Sequence, residues 1–353
     1  MSSIVVAHCR AGFEGECAAD LRRLALAAGV SIKIGETPRR AFIAAGVDNF
    51  NPRRWERAIL DCPPIFARSL FVGTGPHPLP GRDRVTPLLT LARALDPPFS
   101  AVWLEVADTN EGKTVSAFCR RLAPLLQAAA SSAGLLAHGD ERKPRLHLLF
   151  SSPSEVFAGT SAAETGSEWP MGIPRLKMPR AAPSRSSIKL AEAFLFFLGE
   201  NERGGLLRPG MRAVDLGAAP GGWTWQLAER GLRVTAVDNA ALRGAVRSDP
   251  LVLHVQADGL RYRPKRPVDW MVCDIIEKPS RIAALIADWV SAGRCRRTIF
   301  NLKLPMKKRY DEVRRCEALI GDALDRGQQR YSLRFKQLYH DREEVTGYCA
   351  RMD

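Results

Sequence analysis

The stretch "VDLGAAPGGWTWQL", residues 214–227, constrains the fold more than any other part of this 353-residue chain. An apolar strand ends at an acid, Asp215, a glycine-rich turn follows, and a tryptophan-bearing helix begins behind it. A strand that turns through glycines into a helix is the unit of an open α/β sheet, where ligands sit above the carboxyl ends of the strands. Two phosphate sites are disfavoured at once. A dinucleotide site uses G-x-G-x-x-G so that a pyrophosphate can approach the backbone, and Asp215-x-Gly217-x-x-Pro220-Gly221-Gly222-Trp223 lacks the second glycine. A phosphate loop needs Gly-Lys-Ser/Thr, which is also missing.

The rest of the carboxyl-terminal half has the same rhythm. "AVDLG", "RVTAVD", "LVLHVQAD", "VDWMVCDII" and "RTIFNLKL" read as strands. "QLAERG", "SRIAALIADWVSAG" and "YDEVRRCEALIGDALDRG" read as helices, and "RFKQLYH" with "EVTGYCAR" as a closing hairpin. This predicts a parallel, doubly wound sheet with an antiparallel edge. Acids recur at strand ends: Asp215, Asp238, Asp258 and Asp274. Such a lining suits a ligand with hydroxyls and a cationic centre. Asp238, about 20 residues past the turn, is placed to accept hydrogen bonds from ribose hydroxyls. S-adenosylmethionine, a nucleoside with an amino acid and a sulfonium, matches this lining. Its predicted contacts are Asp215, Gly217, Ala219, Pro220, Gly221, Gly222, Trp223, Asp238, Asp258 and Asp274. Ser186 either caps the helix containing Lys189 or touches the cofactor's carboxylate.

The amino-terminal half also alternates. "SIVVAH", "AFIAAG", "FARSLFVGTG", "AVWLEVADT" and "RLHLLF" read as strands, with helices at "GECAADLRRLALAAG", "VTPLLTLARAL" and "TVSAFCRRLAPLLQAAASSAG". It carries no nucleotide fingerprint or catalytic cluster, which suits a binding region. Between the halves, "PMGIPRLKMPRAAPSRSSIK" holds four prolines and no acid, which predicts an extended linker that also touches the ligand. With Lys+Arg 52 against Asp+Glu 38, the net charge of +14 favours a polyanionic partner, nucleic acid first. No apolar run reaches the roughly 18 residues of a membrane span. No leader is recognisable, and the eight cysteines lack metal-site spacing. A cytoplasmic protein with reduced thiols and no metal or membrane partner is expected.

"DLGAAPGGWTWQL" resembles the S-adenosylmethionine motif of RNA ribose 2′-O-methyltransferases related to the FtsJ/RrmJ heat-shock methyltransferase. "MGIPRLK", "FNLKLPMKKRY" and "LYHDREEVT" are similar to the large-subunit cytidine 2′-O-methyltransferases of the RlmM family. The resemblance implies a Lys–Asp–Lys–Glu tetrad at Lys189, Asp274, Lys303 and Glu344, with Glu343 competing for the last place. It implies a Rossmann-like class I methyltransferase domain behind an α+β ferredoxin-like and THUMP RNA-binding region. The corresponding divisions are 1–72, 73–165, a linker at 166–184, and 185–353. The implied substrate is a cytidine of 23S ribosomal RNA in the peptidyl-transferase region, taken free or partly assembled, by a monomer that does not act on DNA. The RNA contacts expected are Arg175, Lys177, Arg180, Arg185, Lys307, Lys308 and Arg309.

The tetrad has its own chemical logic. A ribose hydroxyl is a poor nucleophile whose proton must leave, and a lysine accepts it only if its pKa falls toward neutrality. Lys303 is the expected base, with Lys189 as the second cation. The plainer readings are a Lys189–Glu192 pair and membership of a basic patch for Lys303. Asp274-Ile-Ile-Glu277 lacks the Pro-Pro-aromatic run expected of amine methyltransferases. Cys273 lies outside the Pro-Cys or Thr-Cys setting of a cytosine-C5 nucleophile, and the six histidines suggest no triad with a serine. His340 is expected to be structural. The alternatives are a 2′-O-methyltransferase of another RNA, such as transfer RNA, and a non-catalytic assembly factor.

Overall fold

The computed structural model describes residues 3–35, 40–137, 139–328 and 330–352. It divides into two units, Met1–Pro174 and Arg175–Asp353. In the first, β1 (Ser3–His8), α1 (Glu14–Ala28), β2 (Ser31–Ile34), β3 (Phe42–Asp48) and α2 (Pro52–Asp61) precede β4 (Ser69–Pro78). Then come α3 (Val85–Arg93), β5 (Ala101–Val106), α4 (Asn110–Ser132), β6 (Arg145–Ser152) and β7 (Glu155–Ser161). All seven strands form one sheet in the order β2-β3-β1-β4-β7-β6-β5. Only β5 and β6 run parallel. On α1, Cys17, Leu21, Leu24 and Ala28 recur at helical spacing and are buried, so one stripe of that helix seals the core.

One feature of this unit corrects the sequence reading of the histidines, of which His138 lies outside the described residues. Ser161 Oγ lies 2.8 Å from His147 Nε2, and His147 Nδ1 lies 2.9 Å from Glu105. All three side chains are buried. Glu105 also accepts from His8 Nε2 at 3.3 Å and from the backbone N–H of Met171. A triad geometry therefore exists, working as a buried strut between β1, β5, β6, β7 and the helical turn at Pro170–Gly172. Desolvation opposes the charge on Glu105, but His147 and His8 outweigh it and hold the carboxyl well below its ordinary range.

The second unit runs α5 (Ser186–Leu206), β8 (Arg212–Leu216), α6 (Gly222–Ala228), β9 (Arg233–Val237), β10 (Val252–Val255) and β11 (Val268–Cys273). It continues with α7 (Pro279–Ser291), β12 (Cys295–Lys303), α8 (Arg309–Arg326), β13 (Tyr331–Lys336) and β14 (Glu344–Arg351). The sheet order is β10-β9-β8-β11-β12-β14-β13. Strands β8 to β12 are parallel, and β14 enters antiparallel between β12 and β13, as the alternation predicts. The order reverses at β8, which opens a crevice between the β8 and β11 carboxyl ends. From the apolar run at 194–198, Phe194, Phe197 and Leu198 are buried with Trp223, Trp270 and Tyr348, fixing α5 beside the sheet. All eight cysteines are free, and all but Cys62 are buried.

Candidate active site

The turn after β8 directs its amide hydrogens inward. Gly217 and Ala218 donate to the Val237 carbonyl at 3.0 and 3.2 Å, and Ala219 donates to Asp238 at 3.0 Å. Three successive donors are thus committed to the end of β9, which leaves no cradle for a phosphate. Gly217 and Gly221 both have positive φ, and a Cβ on Gly217 would lie 2.8 Å from Ile275. At Gly222 a Cβ would lie 2.3 Å from the Ser186 hydroxyl, so glycine lets the segment before α5 approach the turn. The Trp223 indole N–H fixes this approach by donating to the Ser186 carbonyl at 3.0 Å.

These elements enclose a cleft of about 250 Å³, lined by Ser184, Ser186, Gly217, Ala218, Ala219, Pro220, Trp223, Asp274, Ile276 and Lys303. Six of the sequence-predicted cofactor contacts line it: Ser186, Gly217, Ala219, Pro220, Trp223 and Asp274. The others lie apart from its lining. Asp238 braces the turn, while Gly221 and Gly222 shape it. Asp258 accepts from the Leu260 N–H at 2.9 Å and is half exposed in its own turn. Asp215 is fully buried and accepts from Thr224 Oγ1 at 2.6 Å, while its Oδ1 has no hydrogen-bond partner. Burial first, then the charges of Asp274 and Asp238, push its carboxyl up to about 7. Crowded carboxylates and an orphaned buried acceptor fit a ligand that brings cationic groups, such as a sulfonium and an amine, and fit a phosphate poorly.

The tetrad assembles at the Lys303 end of this cleft. Antiparallel register sets Lys303 opposite Glu344 and Asn301 opposite Thr346, two positions along the same face. Lys303 Nζ donates to Asp274 Oδ1 at 2.6 Å and to one oxygen of Glu344, while Lys189 Nζ donates to the other. Lys189 therefore pairs with Glu344 rather than Glu192. Glu192 instead accepts from the backbone N–H groups of Tyr339 and His340 and from His340 Nδ1, at 2.6–2.9 Å, which makes His340 a structural residue. Glu343 is exposed and pairs with Arg309 at 2.8 Å, so Glu344 is the acid that meets the lysines.

The pKa shift of Lys303 runs opposite to the expected one. Burial alone would pull it down, but the charges of Asp274 and Glu344 outweigh burial and raise it. Glu344 is lowered, because Lys303 and Lys189 outweigh its own desolvation. The resting arrangement is two ammonium groups interleaved with two carboxylates.

Three further residues support the site. Asn301 Nδ2 donates to the same Asp274 oxygen at 3.0 Å, and Thr346 Oγ1 lies 2.9 Å from both Asn301 Oδ1 and Asp341 Oδ2. Burial, with Glu344 and Glu192 nearby, pushes Asp341 well above the usual carboxylate range. A neutral Asp341 can donate to Thr346, whose own hydrogen is then free for Asn301. The sequence signal for Asn301 and Thr346 is the two-residue period from Lys303 and Glu344. Cys273 is fully buried, with its thiol pushed up to about 12 chiefly by desolvation, which makes it unfit as a nucleophile. Arg175, Lys177, Arg180, Arg185, Lys307 and Lys308 are exposed, whereas Arg309 is partly buried against Glu343.

Three segments of the chain match known families. Residues 1–43 match the RlmM ferredoxin-like domain, residues 83–162 the N-terminal region of ribosomal RNA large subunit methyltransferase M, and residues 182–327 the FtsJ-like methyltransferases. The chain is 49% identical over 349 residues to the ribosomal RNA large subunit methyltransferase M of Methylococcus capsulatus, covering 98% of this chain and 97% of that protein. It is also 49% identical over 353 residues to the protein of that name from Aromatoleum aromaticum, covering 99% and 95%. Among solved structures it is similar to TrmN from Thermus thermophilus, 17% identical with a TM-score of 0.36, covering 99% of this chain and 100% of that one.

Proposed function

The chain belongs to the ribosomal RNA large subunit methyltransferase M family, and from that premise we propose that it methylates the ribose 2′-hydroxyl of a cytidine in 23S ribosomal RNA. It is an S-adenosylmethionine-dependent methyltransferase of large-subunit ribosomal RNA. The observation that carries the ribose reading is the unbroken chain Lys189–Glu344–Lys303–Asp274 at the cofactor cleft. The cofactor supplies an electrophilic methyl carbon on a sulfonium centre. Lys303 Nζ would take the proton of the ribose 2′-hydroxyl as that oxygen is methylated. Because Lys303 rests as an ammonium, it must first lose a proton to become a base. Asp274 and Glu344 hold its nitrogen in place, and Lys189 balances the second carboxylate.

Ser186 and the 217–223 turn would hold the cofactor, with Asp274 facing its cationic groups and Asp215 buried behind the turn. The amino-terminal unit and the exposed Arg175, Lys177, Arg180, Arg185, Lys307 and Lys308 would hold RNA by phosphate contacts and shape. Within that unit we assign residues 1–72 to the ferredoxin-like region and 73–165 to a THUMP-like region, with 166–184 as the linker to the catalytic domain at 185–353. A monomer acting in the cytoplasm on free or partly assembled RNA fits a target in the peptidyl-transferase region, which the finished ribosome buries. No helix among the described residues is long and apolar enough to cross a membrane.

The test is mass mapping of ribose methylation in 23S RNA from cells with and without the protein, followed by methyl transfer to the isolated RNA. Lys303→Ala is expected to lose transfer while still binding cofactor. Wild-type rates in that variant would remove Lys303 from the mechanism, and a methyl group appearing on transfer RNA would change the substrate.

A further inference from the structure

We infer that Ile276 and Met306 form the apolar grip on the nucleobase of the nucleotide being methylated, an inference that rests on the ribose reading above. Ile276 is 87% exposed and Met306 is 92% exposed, the two highest values among the large apolar side chains described. Both sit on loops that leave the strands carrying the chemistry. Ile276 follows Asp274 by two residues and Met306 follows Lys303 by three, on the loops leaving β11 and β12. Those strands are hydrogen-bonded neighbours running parallel, so both loops rise from the same sheet edge. Ile276 also lines the cleft that contains Lys303.

The position of a base follows from the chemistry. The reacting hydroxyl must come within hydrogen-bond reach of Lys303 Nζ. The base hangs from the ribose carbon adjacent to the one bearing that hydroxyl, so it falls within a sugar ring's width of Lys303. Single-stranded RNA presents such bases unstacked, and their faces are apolar. The exposed cations Lys307 and Lys308 directly follow Met306, which sets phosphate attraction beside the apolar contact. Apolar side chains next to cations complement a nucleotide's own division into base and phosphate. An aliphatic chain offers no hydrogen bond to a base edge, so this grip holds a base without choosing it.

Because both side chains are exposed, replacing them leaves the core intact. The experiment compares full-length wild type, Ile276→Ser and Met306→Ser in methyl transfer to protein-free 23S RNA from cells lacking the enzyme. Leu253→Ser is the control, since Leu253 is an exposed apolar residue on β10 at the far edge of the sheet. Each loop variant is expected to lose about tenfold in kcat/KM for RNA, and Met306→Ser, at a position outside the cofactor cleft's lining, to keep its Kd for S-adenosylmethionine within about twofold of wild type. An unchanged kcat/KM in either variant, or an equal loss of cofactor affinity in Met306→Ser, overturns the inference. Absence of ribose methylation by the wild type would instead refute the functional reading.

Discussion

An ammonium accepts no proton, and Lys303 is held as an ammonium by two carboxylates that outweigh its burial. Its neutral fraction at pH 7 is therefore smaller than that of a lysine in water, and it grows as pH rises. Single-turnover methyl transfer should accelerate with pH into the alkaline range. Glu344→Gln removes one of the raising charges, so the rising limb should move to lower pH even as the maximal rate falls. A limb that stays in place would mean that another group titrates. Thr346→Val should leave Asn301 Oδ1 without its donor in a buried site and cost about 1–3 kcal/mol in denaturant unfolding. Thr346→Ser should restore most of the loss, and equal behaviour of the two variants would disconnect the hydroxyl from the site. The four tetrad positions were legible through the resemblance to 2′-O-methyltransferases, and only Asp274, Lys303 and Glu344 also stand at strand ends, while Lys189 lies in α5. Asn301 and Thr346 were hidden because their meaning depends on a register that joins residues 45 apart in sequence.

At the scale of elements, the turn between β8 and α6 works by proximity. Gly222→Ala would set a methyl group against the hydroxyls of Ser186 and Ser184 and 3.0 Å from the Ser187 amide. Cofactor affinity should fall about tenfold or more, measured by calorimetry on the folded variant, and an unchanged Kd would show that the segment moves freely. In the other unit, Glu105→Ala leaves two buried histidines and an amide without their common acceptor and should cost about 3–5 kcal/mol on unfolding. The depressed pKa of Glu105 carries the matching sign. Its stabilising effect is complete at neutral pH and fades only as pH falls through its lowered folded-state value. The parallel strands and the closing hairpin were readable from apolar runs and helical spacing. β2, α2 and β7 escaped for separate reasons. β2 is only four residues at an edge, α2 carries three arginines in ten residues, and β7 follows β6 after a very short turn.

For the whole molecule, the net charge of +14 makes RNA binding a matter of counterion release. Affinity for 23S RNA should fall steeply as salt rises. Changing Arg175, Lys177, Arg180 or Arg185 singly to alanine should reduce the slope of log K against log salt by about one each. Arg309→Ala should change it little, because that guanidinium is engaged with Glu343. A slope unaffected by any of the four would move the RNA path elsewhere. Charge excess declared the class of partner from sequence alone, but only the structure separated cations facing water from cations held by the fold.

The insertion of β14 between β12 and β13 has a consequence in time. A chain emerging from its own ribosome makes β13 before the strand that joins it to the sheet, and it makes Lys189, Asp274 and Lys303 before Glu344. Until β14 seats, Lys303 has only Asp274, Lys189 lacks the carboxylate it pairs with, and β13 has no strand neighbour. Sheet closure and completion of the Lys189–Glu344–Lys303–Asp274 chain therefore arrive in the same event.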